Sequence, residues 1–251
     1  MAQPRILAMG GASLLPGSTD DALHEHFLSL TGAARPRVCF IGTASGDNHE
    51  YVAAFYSFFA RRAEASHLAL FDRRVDDIAG FLGAQDAIYV GGGNTANMLA
   101  IWRLHGVDSA LRAAWEAGVL LGGPSAGAVC WFEAGTSDSF GPQLFPLRGG
   151  LGLLPGSFCP HYDSEERRRP RYHDWVGSGA LPSGYAADDG VGVLFEGAQV
   201  AEVVAVRDGP RAYRVERDGA GVRETAMTPG VSTASRTSPQ RARTDRARAG
   251  P

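Results

Sequence analysis

Five short apolar runs, at 6–9, 38–41, 67–71, 87–90 and 119–121, are set apart by stretches with helical spacing at 20–30, 49–63, 75–82, 95–104 and 107–116. This alternation constrains the chain more than any other feature. Runs of three to five residues have strand length, and a helix between two of them carries the chain back across the sheet. The expected architecture is an α/β fold with a mainly parallel sheet. In such a sheet the strand C-termini share one edge, and ligands bind there. Gly10-Gly11, Gly42-Thr43, Gly91-Gly92-Gly93 and Gly123-Pro124-Ser125 each follow an apolar run, so all four are expected along that edge.

Beyond about residue 185 the texture changes. Segments 192–196, 200–206 and 212–216 are short, β-rich and parted by turn residues such as Asp208-Gly209-Pro210 and Asp218-Gly219. They read as an antiparallel meander or hairpins that extend the same domain. From Pro229 onward large apolar residues nearly vanish while Arg236, Arg241, Arg243, Arg246 and Arg248 accumulate. The expected organisation is one domain over 1–228 and a disordered Arg-rich tail over 229–251.

Composition removes several classes. No run approaches the length of a membrane span, and the N-terminus lacks a signal-peptide layout, so a cytoplasmic protein is expected. Cys39, Cys130 and Cys159 are too few, and odd in number, for a disulfide framework, and no metal-ligand spacing occurs. All 24 basic side chains are arginine, which excludes Schiff-base lysines, a Walker-A lysine and a Ser–Lys dyad. The net charge of −3 gives no nucleic-acid signal. No metal or cofactor is expected.

Val119-Leu120-Leu121 leads into Gly123-Pro124-Ser125-Ala126-Gly127 and then a plausible helix. Glycine-rich chains produce G-x-S-x-G by chance, and this one has 33 glycines. The strand before and the helix after make it a candidate nucleophile elbow, where crowding admits only small neighbours. A serine nucleophile needs a base. His161, in Phe158-Cys159-Pro160-His161-Tyr162, stands in a loop leaving a strand and is the best of seven histidines. The base needs an orienting acid. Asp138, in a polar loop, and Glu133, further up the elbow helix, are the two candidates, with the loop position preferred. Gly92 or Gly93 is expected to supply one oxyanion N–H and Ala126 the other. Asn94 is placed to hold a substrate polar group.

Gly91-Gly92-Gly93-Asn94-Thr95 after a strand, Ser125-Ala126-Gly127-Ala128 further on and Pro160-His161-Tyr162 beyond it, in that order, resemble the peptidase E family over roughly residues 5–206. The resemblance implies a three-layer α/β/α, class I glutamine-amidotransferase-like fold and a serine peptidase of the dipeptidase type, acting on short peptides, with Asp-Xaa among them. It implies Ser125 as nucleophile, His161 as base and Asp138 or Glu133 as acid, with Asn94 and Thr95 at the substrate. One position departs. Ser164 stands where the aspartyl dipeptidases of the family carry an arginine ahead of the acidic pair Glu165-Glu166, so Arg167 or Arg171 would have to reach the substrate by another route. The expected partners are a small peptide substrate and, at most, a second copy in a homodimer, with neither nucleic acid nor membrane. Two other functions fit the elbow: an α/β-hydrolase-type esterase, and an amidotransferase-like protein that binds without hydrolysing.

Overall fold

The computed structural model describes residues 3–15, 18–219, 221–229 and 231–232. The first half runs β1 (Arg5–Met9), α1 (Asp21–Ser29), β2 (Arg37–Ile41), a 3-10 turn (Thr43–Ser45), α2 (His49–Phe59), β3 (Glu64–Leu68), α3 (Ile78–Gly83), β4 (Ala87–Val90), α4 (Thr95–His105), α5 (Val107–Glu116), β5 (Leu120–Pro124) and α6 (Ala126–Val129). The second half is mostly strand: β6 (Phe132–Ser137), β7 (Phe145–Arg148), β8 (Leu154–Cys159), α7 (Arg168–Ser178), β9 (Gly184–Ala187), β10 (Val191–Glu196), β11 (Gln199–Ala205), β12 (Ala212–Asp218), β13 (Gly221–Met227) and β14 (Val231–Ser232).

The main sheet has eight strands in the order β14-β11-β10-β1-β5-β4-β2-β3. Its centre, β1-β5-β4-β2-β3, is parallel throughout, as the alternation of runs and helices requires. The pleat divides each central strand between two cores. Leu7, Met9, Val38, Phe40, Ala87 and Tyr89 face the layer of α1 and α2. Ile6, Ala8, Cys39, Ile41, Ile88 and Val90 face the layer of α3 to α6. The result is a three-layer α/β/α fold. No helix of the described residues is long and apolar enough to cross a membrane.

Two features differ from the sequence reading. The run at 67–71 pairs earlier than expected, because the β2 ladder begins at Arg37 opposite Glu64. The strand stops at Leu68, and the Asp47 carboxylate accepts the N–H groups of Leu70 and Phe71 at 2.6 and 3.0 Å instead. The β-rich C-terminal segments form hairpins, one of the two expected arrangements, but the hairpins go to different sheets. β10 joins the main sheet antiparallel to β1, and β11 pairs antiparallel with β10 on its other side. The β12–β13 hairpin joins a second sheet in the order β13-β12-β9-β8-β6-β7. Val231 and Ser232 pair with β11, and 230 and 233–251 of the expected tail lie outside the described residues.

The core between α1, α2 and β4 holds one histidine. His24 is fully buried, bonded through Nε2 to the Tyr89 hydroxyl at 3.0 Å, and edge-packed on Phe58 and Phe59. Burial pulls its pKa down to about 4, so the folded state holds a neutral ring. Above pH 6.5 neither state is charged. As the pH falls from 6.5 toward 4 the unfolded chain binds a proton that the folded chain refuses, and stability is lost over that window. The shift corresponds to about 3 kcal/mol in total. Urea unfolding at pH 7 and pH 4 should therefore show wild type losing about 3 kcal/mol more than His24→Gln, whose amide stays neutral. Equal losses in the two proteins would show that His24 is not the group responsible.

Candidate active site

The site forms where the two sheets meet, at the C-terminal edge of β1, β4 and β5. Ser125 sits between β5 and α6 with φ 55 and ψ −115, a conformation that non-glycine residues rarely hold. The elbow is shaped by the Val90 carbonyl. A Cβ at position 123 would lie 2.0 Å from that oxygen, and one at position 127 would lie 2.1 Å from it. Only glycine fits at either place, and Gly123 also takes φ 153. The Ser125 N–H donates to the Met9 carbonyl at 3.2 Å, tying the tip to the end of β1. Ala126 opens α6, is 2% exposed, and has an N–H without a partner among the described residues.

His161 arrives from the second sheet. It follows β8 and Pro160, has φ 52, and is held on both sides: its carbonyl accepts from the Glu165 N–H at 3.1 Å, and the Tyr162 N–H donates to the Ala187 carbonyl at 3.2 Å. Its Nδ1 lies 2.7 Å from Asp189 Oδ1. The hydrogen bond from His161 holds the Asp189 carboxyl below its usual range. Asp189 lies in the turn from β9 to β10, and its N–H donates to Asp163 Oδ1 at 2.9 Å. Gly11 closes the back of the pair. A Cβ there would meet Asp189 Oδ1 at 2.0 Å and His161 Cε1 at 2.9 Å. With Nδ1 engaged by the carboxylate, Nε2 is the nitrogen left for a proton transfer. Ser125 Oγ and His161 are not hydrogen-bonded to each other, and in ligand-free sites such bonds are often long.

Neither carboxylate expected as the acid reaches His161. Asp138 is exposed in the turn after β6. Glu133 is exposed on β6, and its Oε2 accepts the Gly156 N–H at 3.0 Å. The acid at the histidine is Asp189, which follows it in the chain. Its only sequence signal is the acidic pair Asp188-Asp189 before Gly190, interrupting two apolar strands. Asp188 itself turns away. Its Oδ2 accepts the Arg211 N–H at 2.7 Å, and burial raises its pKa to about 6.

The glycine loop also departs in part from expectation. Gly92 lies against Ser125, with its added Cβ 3.5 Å from the serine Cβ. Its N–H is spent, however, on the Tyr51 hydroxyl at 3.1 Å. The Gly93 N–H has no partner among the described residues, so Gly93 and Ala126 are the available pair of donors. Asn94 is committed to the protein: Oδ1 caps α4 at the Asn97 N–H and Nδ2 donates to the Ser139 carbonyl. Thr95 is buried in the first turn of α4 at 4% exposure, so it is not presented to a substrate.

Arg167 and Arg171 are exposed and line a cleft of about 550 Å³, together with Glu166 and Asp174, which offset their charge. The arginine that the fold buries is Arg168, at 3% exposure. It pairs with Glu165 at 2.8 Å and donates to Thr136 Oγ1 at 3.0 Å, fastening the segment after His161 to β6. All three cysteines are buried, and burial pushes Cys39 and Cys159 up to about 12, so neither is a thiolate nucleophile. No group of three or more His, Cys, Asp or Glu among the described residues is arranged to hold a metal ion.

Comparison with known proteins gives the family and the fold. Residues 6–203 match Peptidase family S51. The chain is 46% identical over 212 residues to the uncharacterized peptidase YgaJ of Bacillus subtilis (strain 168), covering 84% of this chain and 91% of that protein. Among solved structures it resembles a peptidase from an acI-B1 Actinobacterium, with TM-score 0.64 and 15% identity over 92% of this chain and 96% of the other. It also resembles a putative peptidase E protein from Listeria monocytogenes EGD-e, with TM-score 0.57 and 21% identity over 79% and 97% of the two chains. At those identities the structural likeness speaks for the fold, while the match across most of the chain and the Bacillus relative establish the family. The chain belongs to peptidase family S51.

Proposed function

We propose that this S51 peptidase is a serine hydrolase of short peptides that works through Ser125, His161 and Asp189. The observation that carries this is the 2.7 Å contact from His161 Nδ1 to Asp189 Oδ1, backed by Gly11 just past the end of β1, where Met9 accepts the N–H of a serine held at φ 55.

In the first half-reaction Ser125 Oγ attacks the scissile carbonyl carbon, and its proton passes to His161 Nε2. Asp189 keeps Nδ1 protonated and stabilises the imidazolium that forms. The carbonyl oxygen becomes an oxyanion facing the N–H groups of Gly93 and Ala126, which need no reorganisation to receive it. Collapse breaks the C–N bond, the amine takes the proton from His161, and an ester to Ser125 remains. Water then loses a proton to His161 and attacks that ester. Ser125 leaves with the proton, and the second product is a carboxylic acid.

Substrate choice follows from charge. An aspartyl side chain needs a desolvated positive partner to be selected strongly. Ser164 supplies none, and Arg167 and Arg171 share their cleft with Glu166 and Asp174. We therefore propose short peptides without an Asp-first requirement.

Two outcomes test this reading. On a short-peptide panel Ser125→Ala should lower kcat by about 10⁴- to 10⁶-fold and Asp189→Asn by about 10⁴-fold. Asp138→Asn and Glu133→Gln should stay within about threefold of wild type. Full activity in Asp189→Asn would overturn the acid assignment, and serine-independent cleavage would overturn the mechanism. On the same panel Asp-Xaa should show no more than about a tenfold kcat/KM advantage over neutral-first dipeptides, the size of one exposed ion pair. A hundredfold preference would restore an aspartyl dipeptidase.

A further inference from the structure

Four successive backbone N–H groups, from Gly91 to Asn94, follow β4, and Gly92 among them lies against Ser125. Three of them are tied down. Gly91 N–H donates to the Ile41 carbonyl at 3.0 Å, Gly92 N–H to the Tyr51 hydroxyl at 3.1 Å, and Asn94 N–H to the Ala44 carbonyl at 2.8 Å. The first and last anchors are main-chain carbonyls at the end of β2 and in the 3-10 turn, which any sequence would provide. The middle anchor is a side chain, and it holds the residue in contact with Ser125.

Tyr51 is well placed to act as a fixed point. It lies in the first turn of α2, whose N-cap Asn48 accepts the Tyr51 N–H at 2.9 Å. Its ring packs edge-on against Phe40 at 5.1 Å between centroids. A Cβ at Gly91 would come within 2.9 Å of Tyr51 Cε1, so ring and loop are in contact along two residues. Burial raises the phenol pKa, and the group accepts the Gly92 N–H as a neutral hydroxyl.

We propose, on the peptidase reading above, that Tyr51 is a positioning residue for the oxyanion hole. By holding the Gly92 N–H away from the cleft it sets the turn that leaves the Gly93 N–H facing the reacting carbonyl. A run of three glycines has little conformational preference of its own, and Gly93 rests at φ 137, which only glycine adopts readily. Such a loop keeps one orientation only where its neighbours impose it. Without the hydroxyl the Gly92 N–H loses its acceptor and turns toward solvent, and the Gly93 donor is aimed for a smaller share of the time. The bond matters most in the transition state, when the carbonyl oxygen carries charge.

Tyr51→Phe removes the acceptor and keeps the ring. The expected result is a kcat on short peptides lowered about 10- to 30-fold with KM within about twofold, smaller than the loss of a donor itself. Ile78→Val, in the core at α3, serves as a packing control and should keep its kcat. The rate at which a fluorophosphonate labels Ser125 gives a second readout. There the Ser125 O–P bond forms, its hydroxyl proton passes to His161, the P–F bond breaks, fluoride leaves and the phosphonyl oxygen occupies the hole. That rate should fall by the same factor in Tyr51→Phe. In unmodified protein, amide hydrogen exchange should find Gly92 protected and Gly93 not, which tests the arrangement even if the variant folds poorly.

Unchanged kcat and labelling in Tyr51→Phe would overturn the proposal. A rise in KM with kcat intact would do the same, by making Tyr51 a substrate contact. Equal protection of Gly92 and Gly93 would also count against it. If wild type cleaves no peptide yet Ser125 is labelled, the peptidase mechanism fails while the labelling rate still decides the role of Tyr51. If Ser125 is not labelled either, both fall.

Discussion

The close approach of three backbones around the Val90 carbonyl is the constraint on which the site depends. Gly123 and Gly127 both press against that one oxygen, at distances no side chain would tolerate. This contact lets β5 end on a turn tight enough to lift Ser125 out of the sheet at φ 55. It also brings the loop after β4 against the serine turn, so that Gly92 lies over Ser125. Parallel pairing of β4, β5 and β1 then sets the relative height of three loops at one edge. A side chain at position 123 or 127 would have to push β4 from β5, and the elbow and the glycine loop would move apart together.

The second sheet supplies the other half of the candidate site. β8 delivers His161 and the link from β9 to β10 delivers Asp189, and that link is also where the chain returns to the main sheet. Gly11, just past β1, touches both residues, so the same strand that receives the Ser125 N–H also backs the His–Asp pair. Charge is used sparingly around them. Arg168 is the one buried guanidinium among the described residues, and it is spent on Glu165 and Thr136 to hold the segment that follows His161. The remaining arginines of that run face solvent beside acidic partners.

Much of this was legible in the sequence, and the reasons are local. Ser125 stood out because crowding restricts its neighbours to small residues, and that restriction is written in consecutive letters. His161 stood out because a proline and the end of an apolar run mark a strand exit. Asp189 did not stand out. Acid and base are 28 positions apart, and their meeting depends on how β9 and β10 are divided between two sheets. Asp138 and Glu133 follow the elbow, and a loop position such as Asp138 can fold back toward it, but that freedom says little about space once two sheets are involved. A place in a glycine run makes Gly92 and Gly93 equal candidates as the donor. That pattern could not anticipate a tyrosine hydroxyl arriving from α2, 41 positions earlier.

The sequence by itself determined the class of fold, the edge on which the glycine loops gather, the serine elbow and the family resemblance. All of these rest on periodicity or on sterics between near neighbours, which short stretches of chain encode. Only the tertiary structure decided which acid meets His161, which glycine N–H stays free, and that Asn94 and Thr95 serve α4 and its surroundings. Those outcomes depend on hydrogen-bond partners from distant segments. A polar group's role is settled by whichever partner reaches it first, and no local pattern records that contact.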